Sequence, residues 1–178
     1  MGYKDLVVYR LATTIYDATV VFCSKFIDQR SRTVDQMVQA ARSGKQNIVE
    51  GSLEKSEESN IKLTSVARAS FGELLEDYFD FLRQKGFILW DKNDPRVLKI
   101  RLFRETTANS TNLTNLANWT NLNLNKGEDF ANLLVCLIYK ENYLLDQLLR
   151  AQRDNFIKNG GFRENLFKDR REFLRNKN

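Results

Sequence analysis

The sequence predicts an all-α protein, on two observations. Punctuation is scarce, with one Pro and 8 Gly in 178 residues, whereas β architectures need frequent turn residues. Apolar residues also recur at three- and four-residue steps through several long segments, which is the spacing of one helical face. With 42% hydrophobic residues, a chain of this length is long enough for one cored domain.

The first helix is expected over about 3–28, where Leu6, Tyr9, Ile15, Ala18, Phe22 and Phe26 keep the helical step. The second is expected over 33–53, with Thr33 as N-cap and Met37, Ala40, Ala41, Gly44 and Ile48 on one stripe. Ser56 followed by Glu57 and Glu58 starts the third, because a hydroxyl and carboxylates suit the exposed amides at a helix N-terminus. Its stripe runs through Leu63, Val66, Ala67, Phe71, Leu74, Tyr78 and Phe81 to Gly86, a C′ residue.

Asp94-Pro95 marks the start of a short helix to about Thr107, and Trp90 and Trp119 are expected to bury against this region. The Asn/Thr/Leu-rich segment 108–125 fits a weak amphipathic helix or an ordered loop, since Asn and Thr compete for backbone hydrogen bonds. A last long helix is expected from Glu128 to about Phe156, with Phe130, Leu133, Leu137, Tyr139, Leu144 and Leu148 on its stripe. Gly160-Gly161 then forms a turn, after which Phe162, Leu166, Phe167 and Phe173 are expected to anchor a basic terminal helix.

Several chemistries lack their residues. There is no His, which removes the commonest general base and metal ligand and any Glu-x-x-His di-iron site. No Gly-rich phosphate loop is present. We therefore expect no enzyme activity, no cofactor and no metal, and read the run Glu73, Glu76, Asp77 and Asp80 as a solvated or salt-bridged face. Cys23 and Cys136, each alone in apolar surroundings, read as buried reduced thiols. Charges at Lys4, Asp5 and Arg10 and the lack of an apolar run of ~18 residues argue against a signal or membrane anchor, so the expected address is the cytoplasm.

The net charge of +5 is uneven: residues 1–149 hold 19 Lys+Arg and 19 Asp+Glu, and 150–178 hold 9 and 4. The excess lies in the tail, which favours an acidic partner such as nucleic acid.

The segment Gln36 to Gly51 carries a resemblance. Gln36, Ala40, Ala41, Ser43, Asn47, Ile48, Glu50 and Gly51 stand as in the core motif of the 23S ribosomal RNA intervening-sequence proteins, whose pattern is a Gln, an Ala pair, a small residue and an Asn-Ile-Ala-Glu-Gly-like end. Ser56, Glu57, Val66, Ala67, Ser70, Glu73 and Leu74 extend the likeness into the next helix. Gly44 replaces the usual Ile and Val49 the usual Ala; Gly inside a helix costs ~1 kcal/mol relative to Ala, which points to close helix packing or a locally different contact. The tail from Gly160 resembles a suffix attached to some of these bundles.

The resemblance implies an antiparallel up-down four-helix bundle over 1–156, with a helical insertion at 91–127 and a basic suffix at 157–178. These proteins are similar to the accessory protein of diversity-generating retroelements. That implies a ring-like homo-oligomer, a pentamer, acting as a non-catalytic accessory that binds RNA or DNA and a reverse transcriptase. An interaction scaffold without nucleic-acid binding is the alternative. Candidate phosphate contacts are Arg42, Lys45 and Arg68 as one patch, Arg96, Lys99, Arg101 and Arg104 on the insertion, and Arg163, Lys168, Arg170, Arg171 and Arg175 on the suffix. Asn47, Glu50 and Gly51 are assigned the structural task of ending the second helix and fastening it to the third.

Overall fold

The computed structural model describes residues 2–104 and 111–177. It is all-helical, with no strand among the described residues. A 3-10 turn (Tyr3–Asp5) leads into α1 (Val7–Phe26), followed by α2 (Arg32–Leu53), α3 (Glu57–Lys85), α4 (Pro95–Leu102), α5 (Thr111–Thr120), α6 (Gly127–Asn159) and α7 (Phe162–Arg175). None of the helices is long and apolar enough to cross a membrane, among the described residues.

The four long helices make the core: α2 packs on α1 and α3, and α6 packs on α3 and α1. Phe22 is the hub, with its ring edge-on to Tyr78 at 5.0 Å, Phe81 at 4.9 Å and Phe130 at 5.6 Å, so one residue of α1 joins α3 and α6. The Tyr78 hydroxyl is satisfied inside by donating to Thr19 Oγ1 at 3.0 Å. From Phe130 to Ile138 every residue of α6 is buried, because α4 covers the side of α6 that α1 and α3 leave open. A helix apolar all round has to be enclosed in this way.

Several helix ends fall where the residues ask for them. Ser56 caps α3 by accepting from Ser59 N, Gly86 ends it at φ 68, and Asp94 caps α4 by accepting from Arg96 N. Other ends differ from expectation. Ser31, not Thr33, caps α2: its side chain accepts from Thr33 N at 3.2 Å. α4 stops at Leu102, short of the expected Thr107, because Phe103 turns extended and sets its ring 6.0 Å from that of Trp119; residues 105–107 of that expectation lie outside the described residues. α6 runs on to Asn159, three residues past Phe156, and ends at Gly160 with φ 73. Residues 111–120 of the Asn/Thr/Leu segment form helix α5 with Leu116 fully buried; residues 108–110 of that expectation lie outside the described residues.

The α2–α3 contact depends on two glycines. A Cβ on Gly44 would stand 2.6 Å from two ring carbons of the fully buried Phe71, and one on Gly51 would stand 3.1 Å from Asn60 Oδ1 and 3.3 Å from Leu63 Cβ. Gly51 thus fastens α2 to α3 by letting it approach. Asn47 and Glu50 do not cap or bridge this turn: Asn47 Nδ2 donates back to the Ser43 carbonyl and hydroxyl, at 2.8 and 3.2 Å, and Glu50 is exposed.

Overpacking a core costs ~1–3 kcal/mol, and the upper part of that range applies to a ring with no free side, against the ~1 kcal/mol of helix propensity that Ala gains over Gly. Gly44→Ala is therefore expected to lower the urea midpoint, and Phe71→Leu on top of it to recover part of the loss. A midpoint unchanged or raised in Gly44→Ala contradicts this packing.

Candidate nucleic-acid interface

α7 follows the turn at Gly160 and Gly161, where Gly161 is packed against Glu58 and Phe156 so closely that a Cβ would meet Glu58 Oε1. None of the residues of α7 is buried. Arg163, Lys168, Arg170, Arg171 and Arg175 are all exposed, and the three ion pairs among the described residues use none of them. The expectation that Phe162, Leu166, Phe167 and Phe173 anchor this helix is overturned: they are 44%, 56%, 61% and 66% exposed. The sequence shows that α7 has an apolar face, but no element among the described residues covers it.

The cations of the insertion are partly committed. Arg96 pairs with Asp94, Nη2 to Oδ2 at 2.7 Å, and stacks on the Trp90 ring at 3.8 Å. This pairing holds the Asp94 carboxyl below its usual range. Lys99 lies 5.6 Å from the Trp119 ring centre. Trp90 is buried as expected, whereas Trp119 is 41% exposed, so its expected burial fails: it meets Phe103 at a tilt and Lys99 over its ring and keeps part of its surface in solvent. Arg101 and Arg104 are exposed.

Arg42, Lys45 and Arg68 do not form one patch. Lys45 turns to α1, with Nζ 4.5 Å from the centre of the Tyr16 ring and its charge acting on Asp17. Arg68 turns to α6 and pairs with Asp146 at 3.2 Å. Since α2 neighbours α1 and α3 while α6 lies beyond α3, the two cations face different seams of the core. Arg42 is exposed and shares neither seam's contact. Spacing put Arg42 and Lys45 on one helix, but which neighbour each meets depends on the packing order.

The seam between α2 and α3 holds a polar groove of about 450 Å³ lined by Gln36, Gln39, Ser43, Ser70, Glu73 and Asp77. The Ser43 and Ser70 hydroxyls share a hydrogen bond at 3.0 Å. Burial, then the charges of Asp80 and Glu73, push the Asp77 carboxyl above its usual range. Such a groove repels phosphate.

A larger groove of about 930 Å³ lies between α6 and the segment that carries Trp90 and α4. Asn132 holds its wall in place: Oδ1 accepts from Trp90 N at 2.9 Å, and Nδ2 donates to the Ile88 and Glu128 carbonyls. The lining is Leu89, Trp90, Val97, Val135, Cys136, Tyr139, Tyr143 and Leu144, with Lys92, Arg101, Lys140 and Asp91 around it. Tyr139, expected in the core, is 53% exposed and Tyr143 is 63% exposed. The signal was present: Tyr139 and Tyr143, four apart, lie across the helix from the buried Leu137. Burial pushes the Cys136 thiol in this wall up to about 12 and the Cys23 thiol to about 11, and both are free and buried.

Compared with known proteins, the chain matches no protein-family model, no curated protein and no solved structure.

A carboxyl whose folded-state pKa is raised binds its proton more tightly when folded than unfolded, so its contribution is favourable at low pH and is lost as pH rises through the folded value. Asp77→Asn is accordingly expected to raise the thermal midpoint at pH 7, with the gain shrinking toward pH 3. A variant less stable than the wild type at pH 7 contradicts the like-charge, partly buried setting of this carboxyl.

Proposed function

We propose that the chain is a non-catalytic nucleic-acid-binding accessory protein that works as a ring-like homo-oligomer, with α7 as its main phosphate-contacting element. The observation that carries this reading is α7 itself, a helix with five exposed cations and no buried residue. Cations on an unburied helix can meet backbone phosphates without first breaking internal ion pairs, and phosphates dominate sequence-tolerant binding. The exposed ring of Phe167, with the Arg171 guanidinium 5.9 Å from its centre, adds a surface on which a base can stack.

The reading of α1, α2, α3 and α6 as an antiparallel up-down four-helix bundle, with α4 and α5 as its insertion, belongs to the same proposal. It is supported by the short connections between α1, α2 and α3 and by the packing order of the four helices. Membership of the intervening-sequence family, a pentameric count and a reverse transcriptase partner rest on the resemblance of residues 36–51. The exposed aromatic groove beside α6 favours a second reading, an interaction scaffold.

The two readings separate in a salt titration. If phosphates drive binding, log affinity for a labelled single-stranded RNA falls linearly with log salt, by about 0.7 per phosphate neutralised, or 0.9 for duplex DNA. Arg170→Ala, Arg171→Ala and Arg175→Ala combined are expected to weaken all sequences alike and to flatten that slope by roughly 2 to 3. Arg42→Ala with Lys45→Ala is expected to leave it nearly unchanged. If the wild type does not bind at ~50 mM salt, the nucleic-acid role fails and the scaffold reading takes its place; if the α7 variant binds as the wild type does, α7 is not the phosphate-contacting element.

A further inference from the structure

α7 and the aromatic groove of α6 are two apolar surfaces of one chain, and neither is covered by the described residues. Phe162, Leu166 and Phe173 fall on one face of α7, at i, i+4 and i+11, and all are exposed. Asp169, at i+7, lies in the same row, with Glu172 toward its edge. Arg163, Lys168, Arg170, Arg171 and Arg175 spread over the rest of the circumference.

The groove offers the complement. Its walls are Leu89, Trp90, Val97, Tyr139, Tyr143 and Leu144, and three cations, Lys92, Arg101 and Lys140, stand around it against one acid, Asp91. Its α6 wall from Asn132 to Leu144 spans roughly 18 Å and the 14 residues of α7 span roughly 21 Å, so helix and groove match in length.

α7 cannot fill the groove of its own copy. From Leu144 to the turn at Gly160, α6 runs roughly 24 Å, more than the whole length of α7, so a helix folded back from Gly160 ends before the groove begins.

We propose that α7 of one copy docks in the α4–α6 groove of a second copy, with Phe162, Leu166 and Phe173 against its aromatic walls and Asp169 toward Arg101. The contact is heterologous, so it repeats from copy to copy and closes as an exchanged pair or a ring. It leaves Lys168, Arg171 and Arg175 of α7 facing outward on the assembly, with Arg163 and Arg170 at the edge of the contact. The inference rests on the homo-oligomeric part of the reading above and names its contact.

The test uses full-length chains freed of nucleic acid by nuclease and high salt. Leu166→Asp with Phe173→Asp breaks the stripe, and Tyr139→Asp with Tyr143→Asp breaks the groove; all four side chains are at least half exposed, so the helices should form, as circular dichroism checks. Each variant alone is expected to lose self-association by light scattering, tenfold or more in apparent affinity. Mixed, the two are expected to form a complex that stops at one chain of each, since the intact stripe of one fits the intact groove of the other. In addition, Asp169→Arg and Arg101→Glu should each weaken association, and their combination restore it.

Self-association that survives in the stripe variant, or a mixture that stays monomeric, overturns the inference. In the first case an oligomer built on another face still supports the proposed function. A stripe-dependent oligomer whose wild type binds no RNA upholds the inference and removes the nucleic-acid role.

Discussion

The packing of Phe22 is the constraint on which the rest of the architecture depends. Its edge-on contacts with Tyr78, Phe81 and Phe130 bind α1 to α3 and to α6 at one level. Aromatic pairs of this geometry add ~0.5–1.5 kcal/mol each beyond their buried area. Around that hub the glycines set how near the helices come: Gly44 and Gly51 admit α3 to α2, and Gly127 leaves room for the rings of Phe26 and Phe81, 3.3 Å from where a Cβ would sit. With α1, α3 and α6 fixed by the hub, the first half of α6 is left with an uncovered apolar side. That side is what α4 and the segment at Trp90 cover, and where their cover stops the aromatic groove begins.

The two polar seams follow from the same order of helices. Lys45 meets Tyr16 because α2 lies beside α1, and Arg68 meets Asp146 because α3 lies beside α6. Both cations are half-buried and committed, while the α2–α3 seam carries Glu73 and Asp77. Lys45 and Arg68 therefore do not combine into one positive face, whereas α7 gathers five exposed cations on one helix, none of them in an ion pair among the described residues. A helix without buried side chains is a weak structure on its own, since most helical stability in proteins comes from packing an amphipathic face. A partner that accepts the apolar row of α7 would supply that packing and leave Lys168, Arg171 and Arg175 outward.

Much of the fold was legible because its signals are local. Ser56, Gly86 and Asp94-Pro95 act through their own backbone neighbours, and each stands at the helix end its chemistry predicts. The glycine at 44 announced close packing, and Phe71 is what comes close. What the sequence did not disclose depends on residues far apart. The end of α4 is set by the meeting of Phe103 with Trp119, and the fate of Arg42, Lys45 and Arg68 by the order of helices around the core. The apolar row of α7 and Tyr139 were readable from the period, but a periodicity does not say which surface a row meets, so Tyr139 was assigned to the core stripe and the α7 row to anchoring its helix, and both are exposed.

The central claim, that positive charge set apart on α7 is what this protein offers to a nucleic acid, is tested most directly by locating the contact. Ultraviolet cross-linking of the full chain to a photoreactive single-stranded RNA, followed by peptide mapping, reads the position without assuming it. The expected result is adducts within residues 162–175, lost at high salt, with none in the peptide that contains Arg42 and Lys45. Adducts confined to α2 or α3, or none anywhere under conditions where the RNA is bound, would contradict it.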